Sequence, residues 1–500
     1  MDFIFQASKA NVASMVAWIS FLIISTLLGR VFYRLYFHPL RNIPGPKLAA
    51  STKLCYLYWT NSGRLHYKVK ELHDQYGDVV RIAPNFLVYK APPAWKDIYG
   101  HRKHGDGSFL KDPQFYIPTP SGHSLIGSND ADHSRERRLL SHAFSEKSLR
   151  EQESLVQSYV DLLINGLYNE IEASRETVDL TKWYNFTTFD IIGDLVFGEP
   201  FNCLRDNRYH PWVSIVFGGM KSSTILRGAS LYGCLAPIIK SLIPKSVLQK
   251  RMEHHRMTQD KLNRRLEMKT TRPDFMTYVL RYNDERGMTQ RELEANSSLL
   301  IIAGSETTAT LLSGCTFYLL RHPEIHKKLI NEVRGSFQTQ EEINFLSVAK
   351  LSYMNCVLEE SLRMYPPVPG VLPRRVPDGG AMIDGEFIPE GTSVSMGYYS
   401  AFRAESNFAE PDSFIPERWS ENKDPAFASD NKEVLQPFSY GPRNCLGKNL
   451  AYAEMRLIMA KVLWNFDLSL DSDSYNWDIQ PSYTIWQKHP LNVKLTPVQR

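Results

Sequence analysis

The string Phe438-Ser439-Tyr440-Gly441-Pro442-Arg443-Asn444-Cys445-Leu446-Gly447 sets one thiol in a turn dictated by glycine and proline. Arg443 puts a positive charge two residues before the sulfur, and N–H groups of such a loop can point at it. From Asn449 the pattern turns helical, with Leu450, Ala453, Met455, Leu457, Ile458 and Val462 on a packing face. The positive end of that helix would lie near Cys445, so charge, loop and dipole all favour thiolate. A thiolate on a rigid loop suits a strongly donating axial ligand of haem iron, one that favours O–O cleavage. Taken alone, the same string also suits an inert cysteine in an ordinary turn.

A second constellation lies at 299–312, where apolar residues flank a small polar knot from Gly304 to Thr308. Inside a buried helix such a knot is costly unless satisfied or useful. Ala303 and Gly304 are small enough for another body to approach. Thr307 can bond back to the carbonyl one turn earlier and open the helix locally. Glu306 and Thr307 could then relay protons to a bound oxygen species; a helix-bending threonine without chemistry explains the string equally well. Glu360 and Arg363 stand three apart on one helix face, where a surface pair would be worth little. His133 and Arg137 stand four apart in a basic helical stretch, whose bland reading is a solvated face.

Together these strings resemble the cytochrome P-450 family. Phe438, Gly441, Arg443, Cys445 and Gly447 match its haem-binding signature, a coincidence on the order of 10⁻⁴ in a chain of this length. The resemblance covers residues 30–500 and implies a fold that is mostly α with a small β region. It implies heme b with Cys445 as the iron ligand. Glu306 and Thr307 correspond to the oxygen-activation pair, with Glu in place of the commoner Asp. Glu360 and Arg363 correspond to the E-x-x-R motif, with Arg418 of Pro416-Glu417-Arg418-Trp419 completing a buried network that supports the thiol loop. His133, Arg137, Arg443 and one of Arg374 or Arg375 (Arg374 preferred) correspond to contacts with the haem propionates. His133 stands where the family often has Trp. The implied reaction inserts one oxygen atom from O2 into a lipophilic small molecule. Electrons would come from NADPH through a separate cytochrome P-450 reductase, since no G-x-G-x-x-G occurs here. Tyr33 to Lys47 and Phe189 to Phe201 are similar to fungal microsomal members, notably secondary-metabolism hydroxylases of the isotrichodermin and averantin type. An electron-independent lyase or isomerase on the same fold is the alternative, and a haem protein that only binds ligand or passes electrons is a third.

These residues need elements to hold them. Helical spacing marks Leu65–Tyr76, Ser145–Glu172, Val247–Glu267, Glu292–Leu320, Glu324–Phe337 and Val348–Met364. Strand-like runs lie at Val79–Ile82, Phe86–Tyr89, Ala381–Ile388 and Ser393–Tyr398. Apolar pocket walls are expected from 105–126, 212–239, 295–307, 367–372 and 483–486. Ala10 to Gly29 has no charge and is long enough to cross a bilayer. No A-x-A-like cleavage site follows it. Arg30, Arg34, Arg41 and Lys47 follow, with only Lys9 before, so the body should stay cytosolic. The expected order is a lumenal 1–9, an anchor at 10–29, a basic, Pro-rich linker at 30–48 and a catalytic body at 49–500, held at the endoplasmic reticulum membrane. Ile43-Pro44-Gly45-Pro46 is a stiff turn. A net charge of +4 with no clustered basic face argues against nucleic acid. The six cysteines show no C-x-x-C spacing, which leaves zinc and iron–sulfur ligation unsupported.

Overall fold

The structure is a computed structural model of the chain and describes residues 2–102, 107–118, 120–231, 241, 244–283, 287–421 and 424–499. It opens with helix α1 (Asp2–Tyr36), whose stretch Ser14–Tyr36 is long and apolar enough to cross a membrane and has no buried residue in its most apolar part. The helix does not stop at Gly29 but carries on through Arg30 and Arg34 to Tyr36. Its foot and the chain just beyond Tyr36 are clasped to the body. Buried Arg81 donates to the carbonyls of Arg34 and Leu40, both at 3.2 Å, and Arg34 donates to that of Ser51 at 2.7 Å. Gly45 packs so closely that a Cβ there would lie 2.5 Å from the Arg81 carbonyl oxygen.

The body is mostly helical. After α2 (Leu65–Tyr76) come β1 (Val79–Ala83), β2 (Phe86–Tyr89) and β3 (Leu110–Lys111). Helices α3 (Asp130–Ser141), α4 (Glu146–Glu172), α5 (Leu180–Phe197), α6 (Pro211–Ser230) and α7 (Lys245–Glu267) follow. Then come α8 (Gln290–Arg321), α9 (Pro323–Ser336), α10 (Ser352–Met364), strands β4 (Arg374–Arg375) and β5 (Ser393–Met396), and α11 (Lys448–Asn465). The run Ala381–Ile388 is a hairpin rather than one strand. Val348–Met364 is likewise two helices, Phe345–Val348 and α10.

Two helices form the centre. α8 starts at a capping box, Thr289 with Glu292, and is buried along most of its length. α5 is buried at nearly every position and is capped by Asp179 and by Gly198 at φ +70°. They meet at Gly304, where an added Cβ would come within 2.7 Å of Ile192. The body that the small residue admits is therefore a neighbouring helix.

One five-stranded sheet runs β1-β2-β5-β4-β3, with β2 and β5 parallel and the other pairs antiparallel. Its register sets Lys111 directly opposite Arg374. Like charges facing across a sheet repel, so this pairing asks for an anion.

Candidate active site

The thiol loop is tied at both ends. The Cys445 N–H donates to the Phe438 carbonyl at 2.8 Å, and the Asn444 N–H to that of Gly441 at 3.1 Å. Gly441 has φ +72°, and a Cβ there would sit 2.0 Å from the Tyr99 carbonyl oxygen, so only glycine fits. The Gly447 N–H bonds to the Cys445 sulfur, as expected of such a loop. Two expectations are corrected. Arg443 does not serve the sulfur: it pairs with Asp130 at 2.7 Å and donates to the Ser128 carbonyl at 2.8 Å. The cations acting on Cys445 are Arg137 and Lys448, and Arg137 also braces the loop through the Asn444 carbonyl at 2.7 Å. Nor does the loop alone make a thiolate. Burial pushes the thiol above its ordinary value, and the Gly447 N–H, Arg137 and Lys448 offset this only in part.

Cys445 lies deep in the protein, yet its surface is uncovered. Both hold because an internal space opens before the sulfur. Ala303, in the middle of the buried α8, is uncovered in the same way. Thr307, one turn on, donates its hydroxyl back to the Ala303 carbonyl at 2.5 Å, the bond its position predicts. Glu306 turns elsewhere. Its carboxylate is buried and accepts from Lys488 at 2.7 Å, and Lys488 also reaches the Thr310 hydroxyl at 2.8 Å. Among the described residues its second oxygen, Oε1, has no partner. The structure therefore does not join Glu306 to Thr307. Just beyond, Glu454 bonds to Thr308, and burial pushes its carboxyl up to about 8.

The bases converge. Burial lowers His133 to about 4, helped by Arg443, Arg137, Lys111 and Arg374 around it. Arg375 is matched by Asp112 at 3.2 Å. Arg374 has no carboxylate among the described residues: it reaches only the Phe109 carbonyl at 3.3 Å and the Tyr99 ring, and its Nε is unpartnered. Lys111 likewise has only Tyr116, through its hydroxyl at 3.3 Å and its ring. Burial, with Arg374 and Arg443, holds Lys111 well below the usual lysine range. Sequence reasoning missed Lys111, a single base in an irregular stretch; only the strand pairing reveals it. Two enclosed cations that no carboxylate among the described residues compensates, together with the uncovered sulfur, suit a planar group with two carboxylates, as haem is.

Glu360 accepts from Arg363 at 2.8 and 2.9 Å, from Arg418 at 3.1 Å and from the Trp419 indole at 2.8 Å. Burial pushes Glu360 up, but Arg363, its hydrogen bonds and Arg418 hold it below its ordinary value. Arg418 also pairs with Asp430, a member that the sequence motifs did not signal. Two acids and two guanidinium groups thus balance in full burial, and Arg363 ties the network to the carbonyls of Phe402 and Ser413.

A cavity of ≈480 Å³ opens along α8 at Glu294, Ala295, Ser298 and Ile302. Residues of 115–127, α6 and 483–484 close it, much as expected, but α7 supplies a wall that was not foreseen. The expected wall at 367–372 does not line this cavity. Positions 105, 106, 119 and 232–239 of the expected walls lie outside the described residues. The lining is mostly apolar, as expected, but Ser121, His254, His255, Glu294 and Ser298 also face the space.

A family model described as Cytochrome P450 matches residues 44–496. A cytochrome P450 monooxygenase of Aspergillus oryzae, astJ, is 52% identical over 472 residues, 94% of each chain. Another from Hormonema carpetanum, efuB, is 46% identical over 473 residues, again 94% of each. An averantin hydroxylase of Dothistroma septosporum is 43% identical over 504 residues, 99% of this chain and 94% of the relative. Matched nearly from end to end by monooxygenases of fungi, the chain belongs to the cytochrome P450 family and is an oxidoreductase of that family.

Proposed function

We propose that this chain is a single-pass protein of the endoplasmic reticulum membrane, with α1 as anchor and a cytosolic body, that hydroxylates a lipophilic fungal secondary metabolite. Its electrons come from NADPH through cytochrome P450 reductase. The observation that carries this reading is the enclosed but uncovered Cys445 sulfur, together with two cations around His133 that no carboxylate among the described residues balances. Bound heme b would supply the activation of O2 and the oxidation of an unactivated C–H bond. The chain supplies the rest. Cys445 is the iron ligand, and bound metal holds its sulfur as thiolate against the effect of burial. Arg374 and Lys111, with His133 and Arg443 beside them, hold the propionates, while Arg137 keeps the loop in place through Asn444. Arg374 rather than Arg375 takes this role because Asp112 already matches Arg375. Glu360, Arg363 and Arg418 keep the loop's underside rigid. Thr307 faces the space with its oxygen free to accept a hydrogen bond, since its proton lies on the Ala303 carbonyl. Glu306 can hold a proton at Oε1, the oxygen that Lys488 leaves open.

The test uses membranes holding this chain and a fungal reductase, given NADPH, isotopic dioxygen and a panel of terpenoids and polyketides. A product heavier by one labelled oxygen, absent without NADPH and absent with Cys445→Ala, is expected. Normal turnover by Cys445→Ala, or NADPH-independent conversion of a hydroperoxide with no labelled product, would overturn the reading.

A further inference from the structure

The polar wall of the cavity is ordered by a chain of hydrogen bonds across three helices. Trp212 of α6, itself buried, donates its indole N–H to Nδ1 of His254 on α7. An indole nitrogen can only donate, so Nδ1 must accept. In the neutral ring the proton is therefore on Nε2, which lies 2.7 Å from the Ser298 hydroxyl on α8. Nε2 donates, and the Ser298 oxygen accepts. Its own hydrogen must point elsewhere.

Elsewhere on α8 the usual outlet is the carbonyl four residues back, taken by Ser305, Thr307 and Ser313. Ser298 makes no such bond, and its oxygen faces the cavity beside Ile302. Its hydrogen is thus fixed as a donor into the substrate space. One turn outward, Glu294 faces the same space with a carboxylate bonded to Ser121 at 2.8 Å and Gln259 at 3.0 Å.

We infer that Ser298, polarised through Trp212 and His254, is a specificity-determining residue that anchors a carbonyl oxygen of the substrate. This rests on the proposed function and narrows its substrate class. At 1.5 Å per residue, Ser298 lies about 8 to 14 Å along the helix from Ala303 and Thr307. A substrate that spans this distance, with a ketone or lactone at one end and the oxidised carbon at the other, fits best as a rigid skeleton of roughly two or three rings, which loses little conformational freedom on binding. Glu294 accepts from a hydroxyl at the carbonyl end when one is present.

The experiment compares tetrahydrophenanthrenone, a three-ring ketone with its carbonyl on a terminal ring, with tetrahydrophenanthrene, the same skeleton without oxygen. Binding to the haem-loaded full chain in detergent is measured by calorimetry. Ser298→Ala should weaken the ketone by about 3- to 10-fold, the range of one hydrogen bond, and leave the hydrocarbon within about twofold. Ser298→Thr keeps the hydroxyl and should keep the wild-type ratio. Ser298→Cys, a weak donor, should lose it, so the test stands even if the Ala variant fails to fold. Equal losses for both compounds, or no loss for the ketone, would overturn the anchor. The reduced, carbon-monoxide-bound spectrum of the same samples checks the haem-thiolate reading separately: its absence in the wild type would overturn the proposed function, while calorimetry still reads the anchor.

Discussion

Replacing Lys488 with Met removes the ammonium that Glu306 holds at 2.7 Å, in a place where the two side chains are 3% and 1% exposed. The carboxylate then stays charged without a partner or takes up a proton. Neutralising an ordinary glutamate costs about 1.4 kcal/mol per pH unit above about 4.3, hence about 4 kcal/mol at about pH 7.3. That agrees with the roughly 3–5 kcal/mol seen when one partner of a buried pair is removed. The sign follows from linkage. A carboxylate buried without a partner binds a proton more readily in the folded chain than in the unfolded one, so stability is fully present at low pH and falls as pH rises. The deficit should therefore shrink to about 1.4 kcal/mol at about pH 5.3. Adding Glu306→Gln removes the stranded charge and should restore most of the loss. Urea unfolding followed by tryptophan fluorescence at the two pH values is the assay. Melting is a blunter one: at about 2.1 cal/mol/K per residue, a body this size shifts its Tm by only about 1 °C per kcal/mol. A deficit under about 1 kcal/mol, or one that ignores pH, would refute the reasoning.

Glu454, pushed up to about 8 by burial, works in the same direction in the wild type: it favours the fold below about pH 4 and progressively less up to about pH 8. Glu454→Gln should flatten that slope and add up to about 4 kcal/mol at pH 7.5; parallel urea curves for the two proteins at pH 6 and pH 8 would count against it. Arg374→Met should leave the haem-free fold as stable or more so, yet speed haem transfer to apomyoglobin by about tenfold or more, because it removes one of two opposed cations; unchanged transfer would exclude Arg374 as a propionate contact. Gly441→Ala should cost about 2 kcal/mol or more and deplete the reduced, carbon-monoxide-bound thiolate band, given its φ of +72° and the Tyr99 carbonyl in the way; a full-strength band would contradict the loop geometry.

Local pattern carried much of this architecture. Leu65–Tyr76 ends where its apolar spacing ends, and Phe86–Tyr89 is the strand that its composition suggests. Periodicity failed at Leu180–Phe197 for a physical reason: a helix buried on nearly every side has no polar face to create a period. Val348–Met364 reads as one helix, but Glu332 of α9 caps the Tyr353 and Met354 N–H groups at 2.7 and 2.8 Å and restarts the chain there. No local signal announces a cap supplied by another helix. The site divides in the same way. Cys445, Thr307 and the Glu360–Arg363 pair were legible because their partners are near in sequence or belong to a dense motif. Lys488 lies 182 residues from Glu306 and Asp430 twelve from Arg418, in stretches without a pattern. Arg443 was legible as a base but not as the partner of Asp130, a choice that only the packing of α3 against the loop makes.

The clasp at the foot of α1 bears on mechanics. Arg81 locks the helix end and the turn after it to the first strand, and Arg34 pins the backbone at Ser51. Those bonds hold the foot of α1 against the body. A helix of 35 residues is about 50 Å long; as the proposed anchor it would act as a stiff mast carrying the body. In a bilayer, a mast longer than the hydrocarbon core leans, and leans less as the membrane thickens. A body clasped to that mast would turn with it, which would make the height of the cavity mouth above the lipid a function of membrane thickness. The lipid mixture would then tune which depth of the bilayer this protein draws its substrate from.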